Sequence, residues 1–287
     1  AAAANGRPDF LVFGEGFGID RAFDDTQARR IDTYMRAPDG SPRMPGMLNF
    51  PLYGSTLDVF ARGRPTAELG YRIRSMLRVH QHPQLMPSFV DNHDVDRFLA
   101  GGSEAGLKQS LLLMLTLPGI PTLYYGTEQG FREPRAAMFA GGYGAGGKDH
   151  FDATAPLYRS IQSMTALRRS HPALSRGVPT ILAENAATAG ALAYRMDSKD
   201  QALLIAFNSA DAPTLLDNVE LGLAPELVAA VKDLGYTQPT SVQSKTVPLA
   251  LPGDGDKAGK FIDLMVSSQT GSGKTAAFLL PVLHTLL

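Results

Sequence analysis

Apolar positions recur at helical spacing in three stretches. Leu69, Ile73, Met76 and Leu77 mark a helix over Thr66–Val79, and Leu157, Ile161, Met164 and Leu167 form one stripe over Pro156–Ser170. Glu104–Leu117 is apolar on most faces, which predicts a buried helix. Short apolar runs lie between them: Asp9–Phe13, Leu85–Val90 and Pro121–Tyr125 read as strands. Met47–Leu52 is a further apolar run, kept short by Pro51, and Asp20–Arg36 is polar and irregular with one helical stretch. Strands alternating with helices predict β/α units with parallel strands. Periodicity alone does not separate a closed barrel from an open doubly wound sheet.

The pattern changes at Val178. VPTILAEN, ALAYRMD and ALLIAFNS are three short strands with turn residues between them. It changes again near Leu215–Glu220. Pro225–Leu234 reads as a helix with Pro at its start and Gly235 just past its end. PGDGDKAGK at Pro252–Lys260 has loop composition, and Phe261–Ser267 reads as a strand. No internal repeat is visible.

Composition narrows the classes. The 287 residues carry a formal net charge of −1, so no global field favours nucleic acid or an anionic membrane surface. There is no cysteine, which excludes disulfides and thiolate metal sites without deciding the compartment. The most apolar stretch, Leu111–Tyr125, is too short to span a bilayer and is broken by Pro118, Gly119 and Pro121. The chain opens on AAAA with neither an initiator Met nor a charged-then-apolar leader, which reads as a helix cut open. Localisation is not legible.

The densest chemistry is SFVDNHDVDRF, Ser88–Phe98. An apolar strand end runs into Asp91, Asn92, His93 and Asp94, with Asp96 and Arg97 beyond. Polar groups this dense at a strand end need partners or a ligand. An ordinary strand-to-loop junction with an Asx turn would also account for the tetrad. Upstream, FLVFGEGF places Glu15 between two glycines at a strand end; downstream, GIPTLYYGTEQG ends a strand at Tyr125-Gly126. Phe139–Lys148 is a glycine-rich loop, and long loops at strand ends are often functional.

Taken together, these three motifs resemble the α-amylase family of glycoside hydrolases, over roughly Pro8 to Leu215. The resemblance implies the second half of a (β/α)8 barrel, strands five to eight, over residues 1–175, and the start of a C-terminal β-sandwich over 176–217. It implies α-glucan hydrolysis or transglycosylation by a retaining mechanism. Glu15 would be the acid/base, desolvated by its apolar strand, and Asp94 the transition-state-stabilising aspartate. His93, Asn92, Arg97 and Tyr125 would bind sugar, with Arg97 either pairing with a site carboxylate or simply solvated. The family nucleophile lies in a Gly-x-Arg-x-Asp setting before the glutamate, and none precedes Glu15. The expectation is a truncated unit, inactive by itself, with an α-glucan or maltooligosaccharide as partner, no membrane, no cofactor and no assignable metal ligand.

In the tail, GYTQPTSVQ precedes SQTGSGKT, and a strand, a glycine-rich loop, Lys-Thr and a helix follow the P-loop order. The pair resembles the opening of a DEAD-box RNA helicase, a truncated P-loop α/β segment over 218–287. Two departures are Ser268 at the first P-loop glycine and Asn218 near the place of an expected aromatic. By that resemblance Gln243 would read the adenine edge. Thr270, Gly271, Ser272 and Gly273 would cradle phosphates, Lys274 would reach the β- and γ-phosphates, and Thr275 would hold Mg²⁺. ATP and Mg²⁺ are then implied for the tail, while RNA is not expected to bind, since the DEAD box and second helicase domain are absent. The alternatives to a glycosidase unit are thus an ATP-binding helicase fragment or a non-functional chimeric reading frame.

Overall fold

The structure is a computed structural model. It describes Gly6, residues 10–199 and 201–214, and isolated positions in the tail: 230, 239–240, 243–244 and 246–247. The expected tail helix at Pro225–Leu234, the strand at Phe261–Ser267 and the P-loop lie outside the described residues.

Seven α-helices are described: α1 Thr26–Met35, α2 Phe50–Phe60, α3 Thr66–Val79, α4 Phe98–Gly101, α5 Glu104–Thr116, α6 Pro156–Ser170 and α7 Ala173–Arg176. The three helices expected from periodicity are present, α5 ending one residue early. At α5, the Ser103 hydroxyl accepts a hydrogen bond from Gly106 N–H and so satisfies one orphan donor of the first turn. α2 was not anticipated. Its signal was local: Asn49 accepts from Leu52 N–H as N-cap, and Pro51 sits in the first turn. The apolar run at Met47–Leu52 is therefore a bridge residue and a helix start.

The expected parallel strands shrink to a short arc. β1 is Pro87–Ser88 and β2 is Ile120–Pro121, paired in parallel. Gly14 bridges Met47 in parallel, and Asn49 N–H donates to Pro87 O at 2.9 Å. Four segments thus lie side by side in chain order. Among the described residues, Phe10–Phe13 and Pro121–Tyr125 are not strands over the lengths expected from their composition. Pro87 and Pro121 donate nothing to a ladder, which limits the pairing each segment can build. Phe10–Phe13 stand 42–65% exposed, with no neighbour on that side among the described residues.

The remaining three strands match expectation. β3 Val178–Glu184, β4 Ala191–Ser198 and β5 Gln201–Asn208 form an antiparallel meander in the order β3-β4-β5. β4 is buried along most of its length because it is central, whereas β3 alternates as an edge strand does. Its inner face joins α2, α3, α5 and α6 in one core. Phe60 meets Phe207 at 5.6 Å, and the buried Tyr194 hydroxyl lies 2.6 Å from Thr116 Oγ1. Thr66 Oγ1 donates to Ala191 O at 2.6 Å and accepts from Asn185 N–H. Arg168 of α6 donates to the carbonyls of Leu115, Leu117, Gly119 and Leu174, tying the end of α5 to the approach to β2.

A buried ion pair anchors the first helix. Arg72 of α3 and Asp20 lie 2.9 Å apart, both almost wholly buried. Asp20 also accepts from Gln27 and Ala28 N–H, a negative charge where the helix N-terminus is positive.

Candidate functional site

The site is the loop that follows β1. Phe89 and Val90 are buried, and Asp91 turns inward behind them. One Asp91 oxygen accepts from Phe98 N–H at 3.2 Å and the other from the Thr127 hydroxyl at 2.8 Å. Arg97, 1% exposed, lies 3.8 Å from the same carboxylate and donates to Tyr125 O at 2.7 Å. Its guanidinium packs 4.1 Å from the Tyr124 ring centroid. Burial pushes the Asp91 carboxyl above the usual carboxylate range, opposed by the Thr127 hydroxyl, Arg97 and Phe98 N–H.

Both ends of the loop are therefore clamped, and the middle is presented outward. Asn92 accepts from Asp94 N–H at 2.8 Å, an Asx turn. The turn throws His93 and Asp94 into solvent, with His93 Nε2 3.3 Å from Asp94 Oδ2. Arg135 closes the constellation: its Nε donates to His93 O at 2.8 Å, and its Nη2 lies 3.4 Å from Asp94 Oδ1. Arg135 has φ 57°, a left-handed conformation that is costly outside glycine and that strained functional loops tend to hold. Tyr53, Arg62, His93, Asp94, Asp96 and Arg135 help line a cleft of about 630 Å³. Burial pushes the Tyr53 hydroxyl up to about 12, so it stays a neutral hydrogen-bonding group there.

The residues singled out in the sequence fall into distinct positions. Asn92, His93 and Asp94 are brought together. Of the two alternatives for Arg97, pairing with a carboxylate is the one found: its guanidinium is buried against Asp91 and the Tyr124 ring, where it holds the loop. Tyr125 offers its carbonyl to Arg97, and the residue is 41% exposed. Glu15 is exposed, follows the Gly14–Met47 bridge, and makes no hydrogen bond or ion pair among the described residues. The desolvating strand expected around it is not formed among the described residues, where Phe10–Phe13 are irregular and exposed. Asp91 and Arg135 were missed as site-building residues. Asp91 belongs to the polar tetrad, so its density was a signal; Arg135 is isolated in sequence from His93 and gave none.

In the tail, Gln243 Oε1 accepts from Thr240 N–H at 2.9 Å and Gln243 N–H donates to Thr240 Oγ1 at 3.3 Å. This reciprocal pair is a capping box. Thr270, Gly271, Ser272, Gly273, Lys274 and Thr275 lie outside the described residues. Among the described residues no group of three or more His, Asp or Glu side chains is placed to hold a metal ion.

Comparison with known proteins divides the chain in two. Residues 240–287 match the family model described as DEAD/DEAH box helicase. A probable ATP-dependent RNA helicase of Dictyostelium discoideum is 53% identical over 68 residues, 24% of this chain and 8% of that protein. The beta/alpha-amylase of Paenibacillus polymyxa is 35% identical over 178 residues, 58% of this chain and 13% of that protein. A cyclomaltodextrin glucanotransferase of Thermoanaerobacterium thermosulfurigenes is 39% identical over 97 residues, 32% of this chain and 12% of that protein. Among solved structures, an α-amylase from Geobacillus thermoleovorans, complexed with acarbose, superposes with TM-score 0.56 at 26% identity. It covers 72% of this chain and 43% of its own. An Anoxybacillus α-amylase shares the fold at TM-score 0.60 and 23% identity, covering 77% and 46%. The chain spans less than a fifth of each of these curated relatives. It joins a region similar to α-amylase-family glycosidases to a segment similar to DEAD-box helicases.

Proposed function

We propose that residues 1–175 are part of the catalytic barrel of an α-glucan-acting, retaining glycoside hydrolase, that 176–217 begin its C-terminal β-sandwich, and that 218–287 are part of a helicase ATP-binding domain. The observation that carries the glycosidase reading is the clamped loop after β1, which presents His93 and Asp94 beside Arg135 at an open cleft. Asp94 accepts hydrogen bonds from sugar hydroxyls more strongly as the ring flattens towards the oxocarbenium ion, and His93 and Asn92 orient the same sugar. Arg97 positions them through Asp91, and Tyr125 is exposed at the same end of the arc. In a barrel that also supplied the nucleophile, Glu15 would protonate the leaving oxygen. A retaining enzyme also needs a nucleophilic carboxylate about 5–5.5 Å from the acid. These 287 residues supply none in the Gly-x-Arg-x-Asp setting, so they bind glucan without cleaving it.

The test is a titration with maltoheptaose followed on the His93 ring resonances, beside reducing-sugar release from soluble starch. Ring shifts that vanish in Asp94→Asn, with no sugar release, are expected. Unmoved resonances overturn the reading; release that vanishes in Glu15→Gln overturns the inactivity.

A second reading rests on the 240–287 match. The tail binds ATP with Mg²⁺ weakly, since binding energy is spent ordering the loop without the rest of its domain. Labelled ATP retained by the chain and lost in Lys274→Ala tests it, and RNA-stimulated turnover would overturn the expectation that no RNA is engaged. One uninterrupted clone across residues 215–220 tests whether the two regions share a gene or the frame is an assembled chimera.

A further inference from the structure

The parallel arc has two open edges. On the first, Gly14 turns both backbone groups inward: its N–H donates to Gly46 O at 2.9 Å and its C=O accepts from Leu48 N–H at 3.0 Å. Successive residues of an extended segment turn these groups to alternate sides. Phe13 and Glu15 therefore turn theirs outward, and neither residue makes a backbone hydrogen bond among the described residues. On the last edge, Ile120 and Thr122 N–H donate inward to Met86 O and Ser88 O at 2.9 and 2.8 Å. Leu123 comes next in the alternation, and its backbone groups are unpaired among the described residues.

Large apolar side chains meet water along both edges. Phe10, Leu11, Val12 and Phe13 are 42–65% exposed, and Leu123 and Tyr125 are 43% and 41% exposed. An edge of this kind is a template for another chain. The arc itself says which one. Its segments run in one direction. Joining a first edge to a last edge keeps every segment parallel and every inner face on one side; joining an edge to its own copy loses one or the other. Four segments are too few to bend round onto themselves, whereas eight parallel strands close a barrel that side chains just fill.

We propose that two copies of this chain close one parallel barrel, Phe10–Glu15 of each copy lying against the Ile120–Tyr125 segment of the other. A two-fold axis along the barrel makes both joints at once and leaves no edge for a third copy. The candidate site changes with it. Glu15 hangs on one bridge and is bare on its outer side. Closure seats the partner's Tyr125 beside Glu15, on the rim that carries Asp94, so the second copy supplies a wall that one copy lacks. This inference rests on the barrel reading of residues 1–175.

The experiment uses the 287-residue chain. Sedimentation equilibrium is expected to give about twice the chain mass and no larger species. Leu123→Lys, a charge on the last edge, is expected to halve that mass, with circular dichroism confirming that it folds as the parent does. The chain has no cysteine, so introduced thiols report without background. With a short bismaleimide, Val12→Cys alone and Leu123→Cys alone should stay uncrosslinked on a denaturing gel, and the double variant should give a covalent dimer. Crosslinking of either single variant shows an edge paired with its own copy and overturns closure. A ladder beyond two shows an open head-to-tail chain and overturns it, as does a dimer in which the double variant stays uncrosslinked. A monomer whose His93 resonances still move with maltoheptaose overturns closure and leaves the cleft reading intact. A monomer with unmoved resonances overturns both, and a crosslinked dimer with unmoved resonances bears out closure and overturns the glucan reading alone.

Discussion

Asp94 and Glu15 each follow a short apolar run that joins the same parallel arc, yet their surroundings are opposite. The loop of Asp94 is stapled at both ends by a buried carboxylate, a buried guanidinium and a threonine hydroxyl from the β2 side. The turn of Glu15 hangs on one bridge, with Phe10, Leu11, Val12 and Phe13 bare beside it. The difference is one of neighbours. β1 has extended segments on both sides, whereas Phe10–Phe13 have none on their outer side among the described residues. A site side chain is held only as firmly as the elements flanking it, because a hydrogen-bonded framework needs partners on both sides.

Removing the staple should have the largest effect. Arg97→Ala leaves Asp91 buried and unpaired, a loss of about 3–5 kcal/mol by the usual cost of breaking such a pair. Glu15→Gln, on the bare side, should move stability by less than about 0.5 kcal/mol. Urea unfolding of both variants checks the contrast, and equal losses would break it.

The bare side should reveal itself in association. Exposed apolar residues beside an unpaired backbone edge template pairing with another chain. The parent is expected to elute at a concentration-dependent, larger-than-monomer size, and Phe10→Ser with Leu11→Lys to shift it towards monomer. A sharp, reversible, monomeric thermal transition of the parent would show that the edge is already satisfied.

A smaller effect tests the framework behind the arc. His80 is buried, with Nδ1 3.1 Å from Asp32 Oδ1. Burial pushes the imidazole below its ordinary 6.5, with Asp32 opposing and Arg36 and Arg72 adding to the shift. The folded state thus binds this proton less well than the unfolded chain does. His80 carries no penalty above pH 6.5, and its penalty grows as pH falls through the lowered value. The urea midpoint should drop between pH 7 and pH 5.5, and His80→Gln should flatten that drop. An unchanged slope would locate the pH dependence elsewhere.

The sequence by itself determined the elements whose signals are local. Thr66–Val79 and Pro156–Ser170 were legible because their apolar stripes and flanking residues specify a helix whatever surrounds them. The meander from Val178 was legible for the same reason, as alternation between turns. The Asn92–His93–Asp94 cluster could be read because its residues are adjacent. α2 is also locally encoded, by Asn49 as its N-cap and Pro51 in its first turn. Tertiary structure alone decided the rest. Whether Arg97 faces solvent or Asp91 depends on Tyr124 and Thr127 arriving from β2, about thirty residues away. Arg135 joins Asp94 only through a left-handed backbone turn that no spacing announces. An apolar run such as Phe10–Phe13 becomes a strand only when a neighbour supplies its hydrogen bonds, and strand formation, unlike a helical turn, is a property of two segments rather than one.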